Sequence, residues 1–139
     1  MHKQKQLDRL LRVRTLQLGM VQAAEARAAD RHASEADLAH RISKLAENVA
    51  PAPAEGSGFL LVAAAHFRAR LQQSAEMASA RLRDAELAAE RAAEATREAR
   101  RDQSAIEKLK ARADADAALK AIRELETAPA VRKVRHDPC

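Results

Sequence analysis

Histidine is the side chain best suited to holding a metal or moving a proton near neutral pH. This chain has five, His2, His32, His40, His66 and His136, and no two lie four residues apart, the spacing that sets two imidazoles on one helix face. The only cysteine, Cys139, has no second cysteine with which to close an intrachain disulfide. Gly19, Gly56 and Gly58 are too scattered for a phosphate-cradling loop, and neither a nucleophile elbow nor a zinc-ligand spacing occurs. The carboxylates fall on helical stretches where solvent keeps them ordinary, with no pocket to shift them. These residues predict a protein that is not an enzyme and needs no metal or cofactor, with its histidines at solvated helix positions.

The elements that carry these residues are helices. Alanine dominates the 47% hydrophobic content, Phe59 and Phe67 are the only aromatics, and 32% of residues are charged. Such a composition cannot fill a thick core and matches the long-helix or coiled-coil class; alanine also has the highest helix propensity. The one strong break is residues 49–58, with Pro51, Pro53, Gly56 and Gly58. The expected fold is all-α: a long two-helix antiparallel coiled-coil hairpin in a single domain. Helix one covers about 3–48, ending near Asn48. Helix two covers about 59–126, N-capped by Ser57, and is longer, so that it overhangs the N-terminus. A tail at 127–139, with Pro129, Pro138, Arg132, Lys133 and Arg135, reads as disordered and basic.

Heptad spacing supports the pairing. In helix one the series Leu7, Arg14, Val21, Ala28, Glu35, Ile42, Val49 is mostly apolar, flanked by Leu11, Leu18, Ala39, Ala46 and by Leu10, Ala24, Leu38, Leu45. Helix two has the series Ala64, Leu71, Ala78, Ala85, Ala92, Ala99, Ile106, Ala113, with Phe67, Ala88, Ala95 and Leu109 as its companions. Leu82 falls outside these series and predicts a local stutter. Folding back at the break places Ile42 near Phe67 and Leu7 near Arg101, leaving about 108–126 unpartnered with Leu109, Leu119, Ile122 and Leu125. Asp37 with Arg41, Glu98 with Arg101 and Glu107 with Lys110 are expected surface ion pairs.

Two surfaces attract attention. Lys3, Lys5, Arg9, Arg12 and Arg14 crowd the start of the chain, and the fold-back brings Lys108, Lys110 and Arg112 beside them, a cationic end suited to an acidic protein. Nucleic acid is disfavoured as a partner, because there are no aromatics there to stack on bases. After the break, Phe59, Leu60, Leu61 and Val62 cannot all face one helix, so part of that run must be exposed. Phe67 is expected to cap the seam against Leu45 and Ile42. The net charge is +5. The first residues lack the apolar run of a signal peptide, and no window is long enough to span a membrane, so a cytoplasmic location is expected.

The segments Leu7-Asp8-Arg9-Leu10-Leu11-Arg12-Val13-Arg14, Ala23-Ala24-Glu25, Glu107-Lys108-Leu109-Lys110-Ala111-Arg112 and Glu124-Leu125-Glu126 resemble the FliJ family. That family is the small coiled-coil component of the flagellar type III export apparatus, similar to the YscO-type proteins of virulence secretion. The resemblance implies a stalk that engages the export ATPase hexamer, connects it to the cytoplasmic domain of the export gate and assists export chaperones. It places the protein at the inner face of the cell membrane, peripherally, through that apparatus. Carried over, Leu7, Leu10, Leu11, Arg12, Arg14, Leu109, Lys110 and Arg112 would face the ATPase, and Leu38, Ile42, Leu45, Phe59 and Phe67 the gate. The chain departs from the family in lacking tyrosine and in its alanine-rich surface. The alternative is a self-assembling coiled-coil scaffold or adaptor, dimerising through residues 108–126.

Overall fold

Alanine propensity and the scarcity of breakers leave the chain little alternative to helix. The computed structural model describes residues 2–49 and 58–130, and its architecture there is all-α. Helix α1 spans His2–Asn48 and helix α2 spans Gly58–Thr127, 47 and 70 residues. No strand occurs among the described residues. The expected turn residues Pro51, Pro53 and Gly56, the Ser57 cap, and the tail from 131 onward, with Arg132, Lys133 and Arg135, lie outside the described residues.

The helix ends are weakly held. Neither helix has an acidic residue in its first turn or a basic residue in its last, so neither macrodipole is compensated. The end of α2 has a local substitute: Thr127 Oγ1 lies 2.9 Å from the carbonyl oxygen of Arg123 and 3.2 Å from that of Glu124. Pro129 follows, where a helix cannot readily continue.

The described residues divide into two compact units, one within 2–15 and 102–130 and the other within 16–49 and 58–101. In the first, the partly covered residues are Gln4, Leu7, Asp8, Leu11 and Arg14 on α1, and Gln103, Ser104, Ile106, Lys110 and Ala113 on α2. Polar links tie them together. Gln4 Nε2 donates to Asp114 Oδ1 at 3.1 Å, and Gln103 Nε2 donates to Thr15 Oγ1 at 3.2 Å. Lys110 Nζ lies 2.6 Å from Asp8 Oδ1, and Arg14 Nη1 lies 3.1 Å from Asp102 Oδ2.

The second unit contains all the residues that are buried among those described: Ala78, Ala85 and Thr96, at 0%, 5% and 2% exposure. The covered residues of α2 here are Leu71, Ala75, Ala78, Leu82, Ala85, Ala89, Ala92, Thr96 and Ala99, at alternating steps of four and three, with Ala93 and Ala95 beside them. On α1 the covered residues include Leu18, Val21, Ala28, Glu35, Ala39, Ile42 and Ala46, and Val49 just past its end is covered too. Alanine on both sides lets backbones approach, and removes little apolar area from water per residue.

Several expectations are corrected by these contacts. Leu82 is covered and in step with its neighbours, so no stutter is needed. The second seam series of α2 is Ala75, Leu82, Ala89, Thr96, Gln103 and Lys110; Phe67, Ala88 and Leu109 are exposed, and so is Ala64. In the second flanking series on α1, Leu10, Leu38 and Leu45 are exposed as well, and Ala24 alone is partly covered. Asp8 meets Lys110, so the partner of Leu7 cannot be Arg101, and residues 108–114 are not unpartnered. The cause is at the beginning of α2, where residues 58–70 are all exposed. Pairing is set by matching covered faces and polar links, not by proximity to the break. Phe67 is thus no plug on the seam.

Candidate functional site

The two surfaces singled out by sequence fall one in each unit. In the first, the Lys110–Asp8 ion pair holds late α2 against early α1. Asp8 holds the Lys110 ammonium above its usual range, by hydrogen bond and by charge, while Arg12 opposes. Two of the expected cations, Lys110 and Arg14, are therefore occupied with Asp8 and Asp102. Lys3, Lys5, Arg9, Arg12, Lys108 and Arg112 are exposed. Leu7 and Leu11 are partly covered, whereas Leu10 and Leu109 are 40% and 48% exposed. The surface this leaves is leucine among arginine and lysine, close to a clasp that fixes the two chain segments.

Of the five residues expected at the gate, Ile42 is partly covered and Leu38, Leu45, Phe59 and Phe67 are exposed. Phe59 is 81% exposed, and Leu60, Leu61 and Val62 each show more than half their surface.

Two features of the second unit escaped the sequence reading. Thr96 is the one buried polar residue among those described. Its hydroxyl shares a single proton between the Ala92 carbonyl at 3.2 Å and the Val21 carbonyl of α1 at 3.4 Å. The other is Glu35, on the α1 seam. Its Oε2 is buried without a hydrogen bond, although Arg81 Nε lies 3.5 Å away. Charge proximity is satisfied there while hydrogen-bond geometry is not. Glu35 and Arg81 line an open groove of about 220 Å³ with Arg31, Asp84, Ala85 and Ala88. The signal in the sequence is a glutamate on a mostly apolar heptad series, one of its two charged members beside Arg14.

The surface ion pairs are partly as expected. Arg41 lies 2.7 Å from Asp37. Arg101 turns to Glu94 instead of Glu98, at 3.1 Å, and Arg97 reaches the same carboxylate at 2.6 Å. Hydrogen bonds from Arg97 and Arg101, more than charge alone, hold the Glu94 carboxyl below its usual range. Among the histidines, His2, His40 and His66 are exposed, His32 is partly covered, and His136 lies outside the described residues. No metal-sized cluster of His, Cys, Asp or Glu occurs among the described residues. Nor is any helix there long and apolar enough to cross a membrane.

No family model, curated protein or solved structure matches this chain.

Proposed function

We propose that the chain is an antiparallel coiled-coil hairpin acting as a FliJ-like stalk, a non-enzymatic part of a type III protein export apparatus. In this reading α2 overhangs the start of α1, and the leucine–arginine surface of residues 7–14 and 109–112 docks on an export ATPase ring. The observation that carries it is the Asp8–Lys110 clasp, with Leu10, Arg12, Leu109 and Arg112 exposed around it. A clasp that consumes one cation and leaves others free presents fixed positive charge beside apolar side chains. Acidic residues lining a ring would complement it, through contacts individually weak and salt-sensitive. Leu38, Ile42, Leu45, Phe59 and Phe67 are the proposed contact with the export gate, and exposed helix faces that with export chaperones.

The test is ATP hydrolysis by a type III export ATPase from the same cell, with and without the full chain. Stimulation with hexamer formation, lost on Leu10→Asp or Leu109→Asp while helicity is kept, is the expected result. Binding and stimulation that survive both substitutions would remove this surface from the contact.

A second reading is a self-assembling scaffold, and the exposure of Leu119, Ile122 and Leu125 favours it. The dimerising segment is then shorter than 108–126, because Lys110 and Asp114 are already engaged with α1.

A further inference from the structure

The first three turns of α2 are unlike the rest of the helix. Every residue from 58 to 70 is exposed, and among them Phe59 and Phe67 show 81% and 53% of their surface. From Gly58 to Ala75 the sequence contains no carboxylate, and its only full charges are those of Arg68 and Arg70. The first turn also lacks any acidic residue to offset the positive end of the helix dipole.

We propose that this segment binds the surface of an anionic lipid bilayer. The geometry of the apolar residues favours lipid over a protein groove. Phe59, Leu60, Leu61 and Val62 are consecutive, so at about 100° per residue they point to all sides of the helix. One partner face covers one stripe and leaves the others wet. The acyl and headgroup boundary of a bilayer is fluid and has no fixed stripe to match, so it covers whichever of these residues the helix turns toward it. A second copy of the chain is a poorer match, because the same segment offers no carboxylate to Arg68 and Arg70. Phosphate headgroups supply that counter-charge to both arginines and to the helix N-terminus. The arginine stems are long enough to keep their guanidinium groups at headgroup level while the phenylalanines sit deeper. This surface is separate from the leucine–arginine surface of the first unit, but it shares Phe59 and Phe67 with the proposed gate contact, so that bilayer and gate would compete for those two side chains while Leu38, Ile42 and Leu45 stay available to the gate.

The experiment is flotation of the full-length chain with phosphatidylcholine vesicles, with and without phosphatidylglycerol, at two salt concentrations. The expected result is co-flotation with the anionic vesicles, weakened by salt. Arg68→Ser with Arg70→Ser should lower apparent affinity by on the order of tenfold or more. Phe59→Asp with Leu61→Asp should abolish it. All four positions are exposed, so helicity by circular dichroism should be unchanged, and Leu125→Asp should bind like the parent chain. Absence of flotation with anionic vesicles would overturn the proposal. So would flotation indifferent to all these substitutions. Sedimentation showing that Phe59→Asp with Leu61→Asp dissolves a dimer, with no lipid binding by the parent, would assign the segment to a second copy instead.

Discussion

Thr96 Oγ1 lies 3.4 Å from the carbonyl oxygen of Val21, 75 positions away along the chain. The hydroxyl crosses between helices at the one polar site that is buried among the described residues. Both carbonyls it approaches sit within helices, so removing the hydroxyl orphans neither. Thr96→Val, which keeps the shape, should change stability by less than about 1 kcal/mol. Thr96→Leu should cost roughly 1–3 kcal/mol by overpacking. Denaturant unfolding followed by circular dichroism distinguishes the two; equal losses would mean that the hydroxyl matters more than the width of the gap.

Ala78 is fully buried, and it gives the same argument without a polar group. Ala78→Leu should destabilise by roughly 1–3 kcal/mol, whereas Ala64→Leu, at an exposed position of the same heptad series, should change stability by less than about 0.5 kcal/mol. Thermal unfolding of both variants checks the pair.

Glu35 and Arg81 should behave asymmetrically. Replacing Arg81 with leucine leaves a buried carboxylate oxygen without its nearby cation and should cost roughly 1–3 kcal/mol. Replacing Glu35 with leucine removes the desolvated charge and should be neutral or stabilising. A double-mutant cycle measures the coupling, and equal losses from the two single changes would contradict this account.

Gly19 is helical and exposed, and a Cβ built there meets nothing within 4 Å. Gly19→Ala should therefore stabilise the chain by about 1 kcal/mol through helix propensity alone, read as a rise in melting temperature.

The two shifted groups act at opposite ends of the pH scale. The Glu94 carboxyl is depressed, so its contribution is present above the unfolded value near 4.5 and lost as pH falls through the folded value. Lys110 is raised, so its contribution is complete below the unfolded value near 10.5 and lost as pH rises through the folded value. Melting temperature against pH should fall at both ends. Glu94→Gln should soften the acid limb and Asp8→Asn the alkaline one, with salt reducing both differences because the groups are exposed.

Periodicity was legible where large apolar residues share it with alanine. Leu7, Val21 and Ile42 on α1, Val49 just past its end, and Leu71 and Ile106 on α2 are all at least partly covered as their spacing predicts. The companion series of α2 was not legible, because its members include Thr96, Gln103 and Lys110, whose side chains carry no hydrophobic signal. Leu109 and Phe67 drew the eye by size, yet both are exposed. The offset between helices was illegible for a related reason. An alanine face looks alike at every heptad, and cross-links such as Lys110 to Asp8 select one alignment by side-chain chemistry far apart in sequence. The leucine–arginine surface was recognisable as residues, but which cations remain available depends on partners that only the fold supplies.

The small size of the buried set has a thermal consequence. Heat capacity of unfolding grows with the apolar area that becomes hydrated. Two alanines and a threonine are all that is buried among the described residues, and the seam residues next to them are only partly covered. The increment per residue should then fall below the usual value of about 12–15 cal/mol/K, and calorimetry should trace a flat stability curve. Cooling such a chain gains and loses little, so its strength near freezing should differ only slightly from its strength at room temperature.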